Sequence, residues 1–259
     1  MRVINIAIHH PAMTDMPDTK SSPVFQPLYR QIKALITQSL IAGKWSPGNP
    51  IPSEMELAAQ FGVSQGTVRK AIDELAAENI LNRRQGKGTF VSTHSEDGVK
   101  LRFLRLVAAD GSNQLLDNRL LSCERSKAPA QVAQQLGIKT GSAIIEIKRL
   151  LLLADKPTII DYIILPAASF KGVNTALIES FNGSMYRMYE SQLGIRMVRA
   201  EERLTAIGAD AATASSLGVK THTPLLRIER VSYTYGDKPM EWRLGLCLTN
   251  EHHYLNQLE

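Results

Sequence analysis

Apolar residues in the first third of the chain recur at helical spacing. Leu28, Ile32, Leu35, Ile36 and Ile41 follow Pro27, a residue suited to a helix start because its missing N–H would be unpaired there. Gly43 reads as the stop, and Pro47, Gly48, Pro50 and Pro52 mark a connector. Ser53 and Glu56 then form an S-x-x-E capping box that opens a second helix, with Leu57, Ala58 and Phe61 inward and Gly62 at its end. Ser64 caps a third helix. Its Val68, Ala71, Ile72 and Leu75 fall on one stripe, and Gln65, Gly66, Thr67, Arg69 and Lys70 face the other way. Two helices joined by a turn of about three residues make a helix-turn-helix, whose second helix offers a polar, basic N-terminal half. Ile80 and Leu81 read as a short strand and Thr89 to Val91 as its return. Arg83, Arg84, Gln85, Gly86, Lys87 and Gly88 form the basic turn between them.

The remainder contains an internal repeat. Leu136-Gly137-Ile138-Lys139-Thr140 matches Leu217-Gly218-Val219-Lys220-Thr221, and the match continues from Ile144 to Arg149 against Leu225 to Arg230. After a one-residue offset it reaches Asp155-Lys156-Pro157 against Asp237-Lys238-Pro239. Each copy reads as helix, glycine stop, long strand, turn and strand. The helices run near Pro129 to Leu136 and Asp210 to Leu217. Between the copies lie a helix near Ser184 to Gln192, closed by Gly194, and a strand near Ile195 to Ile207. The expectation is an α+β domain around an antiparallel sheet with pseudo-twofold symmetry.

Arg149 shares a strand face with Ile145, Ile147, Leu151 and Leu153, and a charge there needs a partner. Asp161 interrupts the apolar strand from Ile159 to Leu165 in the same way. Two readings stand: a polar cluster that binds a small anion, or a buried ion pair of Arg149 with Asp161, Glu201 or Glu202. Ser184 precedes free helix N–H groups that can hold an anion or simply be capped, and Tyr186 two residues on can reach a ligand or pack.

Composition narrows these readings only slightly. A chain of 259 residues favours two domains, and a net charge of +5 permits a nucleic-acid partner without requiring one. From Phe25 to Ser92 eight Lys/Arg oppose five Asp/Glu. Cys123 and Cys247 are too far apart for a metal motif or disulfide framework, which points to buried thiols in a reducing cytoplasm. No run of residues is long and apolar enough for a membrane span, and the first residues lack a signal-peptide pattern.

The segments Pro47-Gly48, Ile51-Pro52-Ser53-Glu54, Leu57-Ala58, Val63-Ser64, Thr67-Val68-Arg69 and Gly86 to Val91 together resemble the DNA-binding domain of the GntR family. The resemblance implies that Thr67, Arg69 and the wing glycines touch DNA. With the residues around them, the candidate DNA contacts are Ser53, Ser64, Gln65, Gly66, Thr67, Arg69, Lys70, Arg83, Arg84, Gly86, Lys87 and Gly88. Met55 and Gln65 depart from the arginines common at those places, which points to a different operator. Ser122 to about Tyr254 resembles the UTRA sensor domain of the HutC-type branch, on Leu136-Gly137, the Arg149 strand, Leu165-Pro166, Gly183 to Tyr186, Ala200 to Arg203 and Glu229-Arg230. That resemblance implies a chorismate lyase-like fold and an effector cavity involving Arg149, Asp161, Ser184 and Tyr186. Leu151, Leu244 and Cys247 stand where members that bind phosphorylated sugars often carry arginine or tyrosine. A small carboxylate or another metabolite therefore fits better than a sugar phosphate.

The expected layout is a disordered lead-in over residues 1–24, a winged helix-turn-helix over 25–92, a linker over 93–101 and an effector and dimerisation domain over 102–259. The expected partners are double-stranded operator DNA, a small-molecule effector and a second copy of the chain, with no cofactor, no metal and no membrane. Rival readings are an enzyme built on the lyase-like fold and a DNA-binding protein without a ligand. No H-E-x-x-H, C-x-x-C or G-x-S-x-G occurs, and Gly86-Lys87-Gly88 lacks the Ser or Thr of a P-loop. His252-His253 is expected to be solvated.

Overall fold

The computed structural model describes residues 26–94, 105–112, 114, 116–181 and 184–256. The expected lead-in and most of the expected linker lie outside the described residues.

Helices α1 (Leu28–Ile41), α2 (Glu54–Phe61) and α3 (Gln65–Ala77) precede strands β1 (Leu81–Arg84) and β2 (Gly88–Val91), which pair antiparallel. The Ser53 hydroxyl accepts from Glu56 N at 3.2 Å while the Glu56 carboxylate accepts from Ser53 N at 2.7 Å, so the capping box is closed. Ser64 likewise accepts from Thr67 N at 3.2 Å. Val68, Ala71, Ile72 and Leu75 are all buried with Leu57 and Ile36 in one core. Each large side chain there contributes about 1.5–3 kcal/mol by leaving water.

Two expectations change. Leu28, Leu35 and Ile41 are exposed, because the inward stripe of α1 is Ile32, Ile36 and Leu40. Arg83 and Arg84 belong to β1, opposite Thr89 and Gly88, rather than to the turn. Lys87 N donates to Arg84 O at 2.9 Å, so the turn closes on Arg84 itself, with Gly86 at φ 70°.

The C-terminal domain is built on a six-stranded antiparallel sheet in the order β4-β5-β6-β9-β8-β7. Its strands are β4 (Leu116–Lys127), β5 (Ala143–Leu153), β6 (Lys156–Pro166), β7 (Arg199–Gly208), β8 (Pro224–Thr234) and β9 (Lys238–Leu248). The small strands β3 (Leu106–Ala108) and β10 (His252–Tyr254) pair with each other. Helix α4 (Ala130–Gln135) follows β4 and α7 (Ala211–Leu217) follows β7, so the chain runs strand, helix, strand, strand twice. The sheet order reads the same from either end, and the pseudo-twofold axis passes between β6 and β9. The strand expected from Ile195 begins only at Arg199, and residues 195–198 lie in no strand.

Helices α4 and α7 pack on one face of the sheet, through Val132, Leu136, Ala214 and Leu217. Helices α5 (Thr175–Ser180) and α6 (Met185–Leu193) pack on the other, against Ile145, Ile147, Ile163 and Leu165. On that second face a separate apolar group forms around Leu106, Leu151, Leu153, Ile159 and Cys247. Arg149 and Asp161 lie between the two groups. His252, expected to be solvated, is buried and meets Gln114 Oε1 through Nε2 at 2.8 Å.

Candidate functional site

The first candidate surface joins α2, α3 and the β1–β2 wing. A groove of about 550 Å³ is lined by Ser53, Gln65, Arg69, Arg83, Arg84 and the wing glycines Gly86 and Gly88, with Glu54 and Met55 at its floor and edge. The structure thus gathers most of the residues singled out in the sequence. Ser64 and Thr67 stand at the start of α3, joined by an Oγ–Oγ1 hydrogen bond of 2.9 Å. Lys70 lies with Nζ 4.1 Å from the centre of the Tyr29 ring, and Lys87 stands exposed at the tip of the wing. A Cβ added at Gly66 would meet only Ser64 Oγ, at 3.9 Å. Nothing inside the protein therefore requires glycine there.

Sequence reasoning missed Glu54 as a member of this surface. Its carboxylate accepts from Arg69 Nε at 2.9 Å, Arg83 Nη1 at 2.9 Å and Gln65 Nε2 at 3.3 Å. Arg83 also donates to Asp73 at 2.7 Å. Burial works against the Glu54 charge, but the hydrogen bonds from Arg69 and Arg83 outweigh it and hold the carboxyl below its ordinary range. Glu54 therefore aligns a guanidinium of α3 with one of the wing. Its place in the Ile51-Pro52-Ser53-Glu54 segment and its neighbour's capping motif were the only hints.

The second candidate is the polar cluster on the sheet. Arg149 faces Asp161 directly across β5 and β6, and their side chains are ion-paired at 2.6 Å. The register thus puts both side chains on one face of the sheet. Arg243 on β9 reaches the same Asp161 oxygen at 3.2 Å and grips Glu241 at 2.8 Å. Glu241 also accepts from Tyr186 Oη at 2.7 Å and Tyr189 Oη at 3.1 Å, both on α6. Ser232 Oγ lies 3.0 Å from Tyr186 Oη, and Arg230 Nη1 donates to that hydroxyl at 3.3 Å. Arg230 is in turn held by Glu202, Nε to Oε1 at 2.6 Å.

Desolvation alone would favour the neutral form of Asp161. The guanidiniums of Arg243 and Arg149 reverse that and hold it below its usual value. Burial pushes the Tyr189 phenol well above its ordinary value and raises that of Tyr186. Arg149 Nε is buried without a hydrogen-bond partner, which leaves one strong donor of the cluster unspent.

Of the four residues proposed from sequence, Arg149, Asp161 and Tyr186 are brought together. Ser184 stands at the exposed start of α6, where its hydroxyl accepts from Arg187 N at 3.2 Å. Arg230, Ser232, Glu241, Arg243 and Tyr189 were missed as site members. The repeat carried a signal for Arg230, which stands where Arg149 stands in the first copy. Among the described residues no group of His, Cys, Asp and Glu has the arrangement of a metal site. None of the helices among them is long and apolar enough to cross a membrane.

Comparison with known proteins gives matches over both regions. The pattern described as "Bacterial regulatory proteins, gntR family" matches residues 28–91, and the UTRA domain pattern matches residues 112–253. The HTH-type transcriptional regulator YurK of Bacillus subtilis is 30% identical over 231 residues, covering 86% of this chain and 92% of that one. The HTH-type transcriptional repressor NagR of the same organism is 30% identical over 244 residues, covering 92% and 98%. Among solved structures, the ligand-binding domain of a GntR-family transcriptional regulator from Bordetella bronchiseptica is 41% identical. It aligns with a TM-score of 0.60 over 61% of this chain and 98% of that one. PhnF from Mycobacterium smegmatis aligns with a TM-score of 0.52 at 25% identity, over 88% and 99%.

Proposed function

The chain belongs to the GntR family of bacterial transcription regulators, a family of DNA-binding regulators rather than enzymes, with a UTRA domain behind its winged helix; from this premise we propose that it is a homodimeric repressor of the HutC-type branch, acting on DNA in the cytoplasm and released by a small anionic effector. The convergence of Arg69 from α3 and Arg83 and Arg84 from the wing on one groove carries the DNA reading. Gln65, Gly66, Thr67 and Arg69 enter the major groove from the first turns of α3, with Ser64 at its cap and Lys70 toward a phosphate. Arg83, Arg84, Gly86, Lys87 and Gly88 follow the backbone, and Ser53 meets a phosphate beside the start of α2.

The effector site is the cluster of Arg149, Asp161 and Tyr186, with Arg230, Glu241 and Arg243 completing it and Ser184 at the exposed start of α6. The unspent donor on Arg149 favours an acceptor group on the ligand, and a small carboxylate supplies one to a cluster whose other charges are already paired. Two chains pair through their C-terminal domains. The outward Leu204 and Ile207 of edge strand β7 support that pairing. A two-fold dimer presents two winged helices to an inverted repeat.

The test is selection of binding sites from a random DNA pool with the purified full chain, followed by a salt titration. A short inverted repeat whose affinity falls steeply with salt is expected. Binding without sequence preference, or to single half-sites only, would overturn the reading.

A further inference from the structure

The two domains meet at a guanidinium. Arg196 lies between α6 and β7, in the effector domain, and is only 1% exposed. Its Nη2 donates to Asn79 O at 2.9 Å, and its Nη1 reaches Ile80 O at 3.4 Å. Asn79 and Ile80 close the last turn of α3, donating back to Ala76 O and Leu75 O at 2.8 Å each. A cation from one domain is thus seated on the partially negative end of the DNA-reading helix of the other.

The same cation is balanced from behind by Glu190 on α6, Nε to Oε2 at 3.6 Å. Glu190 also accepts from His94 N at 3.0 Å and from the Thr93 hydroxyl, so it fixes the chain as it leaves the wing. Thr93 and His94 were expected to begin a polar linker; both are buried here. His94 Nε2 lies 2.9 Å from Met197 O, and its ring stacks on Tyr186 at 5.8 Å between centroids. Tyr186 and Glu190 are one turn apart on α6 and share a side of it. One end of that turn holds Glu241 in the polar cluster, and the other holds Arg196, which reaches the end of α3.

We propose that Arg196, clamped by Glu190, is a positioning residue for operator binding, and that α6 carries the state of the polar cluster to it. The proposal rests on the function proposed above. Withdrawing this buried guanidinium from the two carbonyls would strand its donors, which favours two states, seated on α3 or withdrawn, over a continuous range. A ligand that shifts Tyr186 and Tyr189 moves the helix that anchors Arg196. Linkage then makes the path reciprocal: operator bound to the winged helix must alter α6.

The test uses hydrogen–deuterium exchange on the full chain, with and without an operator duplex selected from a random pool. Operator is expected to change exchange across residues 185–193 in the wild-type protein. Arg196→Gln is expected to abolish that distant change and to shift operator affinity by roughly 5–150-fold. Arg196→Lys keeps the charge at the helix end but cannot donate to two carbonyls as a fork, so it is expected to transmit poorly and decides the matter if Arg196→Gln does not fold. Bound operator with no response at 185–193 in the wild type, or a full response in the folded variant, overturns the clasp alone. A pool that yields no enriched site overturns the DNA-binding reading instead.

Discussion

Asp161→Ala tests the buried ion pair at the centre of the polar cluster. Its side chain is 3% exposed and pairs with Arg149, itself 7% exposed, at 2.6 Å, and with Arg243 at 3.2 Å. Removing the carboxylate leaves Arg149 buried without a counter-ion, whereas Arg243 keeps Glu241 at 2.8 Å. Breaking a buried pair in this way costs about 3–5 kcal/mol. In a protein of this size that lowers the melting temperature by roughly 6–20 °C. The double variant Arg149→Met with Asp161→Leu removes both charges and fills the same space. Such replacements are commonly neutral or stabilising by about 1–4 kcal/mol, so the double variant is expected to recover most of the loss.

The two variants also separate scaffold from site. A metabolite that occupies the wild-type cluster at about a hundred times its dissociation constant stabilises it by about 2.7 kcal/mol, an upward shift of roughly 5–11 °C. The stable double variant is expected to show none. A melting point for Asp161→Ala within about 2 °C of wild type would refute the energetic argument. A metabolite that stabilises the wild type and the double variant equally would place the ligand elsewhere.

Lys87→Ala is expected to weaken operator binding similarly for all sequences and to reduce the slope of log K against log salt by about 0.9, as one lost phosphate contact requires; an unchanged slope would remove Lys87 from the interface. Arg69→Ala is expected to relax base preference by about 1–3 kcal/mol at one position, measured on operator variants, with effector-induced thermal shifts unchanged. Glu54→Gln is expected to free Arg69 and Arg83 and to blunt that same preference while overall affinity for random DNA rises; a sharper preference would contradict its aligning role. The pH dependence follows from Asp161. Its folded value lies below its ordinary 3.8, so the stability it contributes is complete above about pH 4 and is lost as pH falls through the folded value. The difference in melting temperature between wild type and Asp161→Asn should therefore narrow on acidification, and a constant difference would count against the pair.

The local parts of this fold were legible because they rest on local chemistry. Caps at Ser53 and Ser64, the stripe of α3 and the glycine stops at Gly62, Gly194 and Gly218 all act within one turn of chain. The repeat revealed the pairing of strands because each copy is one supersecondary unit. What stayed hidden depends on residues distant in sequence. Arg243 joins Asp161 only because β6 and β9 are neighbours, and a basic residue in an otherwise apolar strand announces no partner. Arg196 sits between Ile195 and Met197 in what reads as an ordinary strand, and its partners on the winged helix are more than a hundred residues away in sequence. Leu28, Leu35 and Ile41 misled for the converse reason. Their spacing is helical, but the core admits only the side of α1 that carries Ile32, Ile36 and Leu40.

The position of the polar cluster follows from the duplication itself. Tyr162 of β6 pairs with Leu244 of β9, and these two are equivalents at the spacing that separates Lys156-Pro157 from Lys238-Pro239. The pseudo-twofold axis therefore passes through that pair. Asp161 and Arg243 are the next equivalents and flank the axis on one face, while Arg149 and Arg230 are equivalents on the strands outside them. A perfectly symmetric sheet would place two identical inner residues here, either two carboxylates or two guanidiniums, and like charges so close in a buried setting repel. The copies instead differ at this position, with an acid in one and a base in the other. That single divergence turns a repulsive axis into an ion-paired one, and it leaves the cluster with distinct ends: Arg149 with its spare donor on one side, Glu241 and the tyrosines of α6 on the other. Because Tyr186 and Tyr189 tie α6 to Glu241, a ligand that bound across the axis would bear on the helix that also holds Arg196.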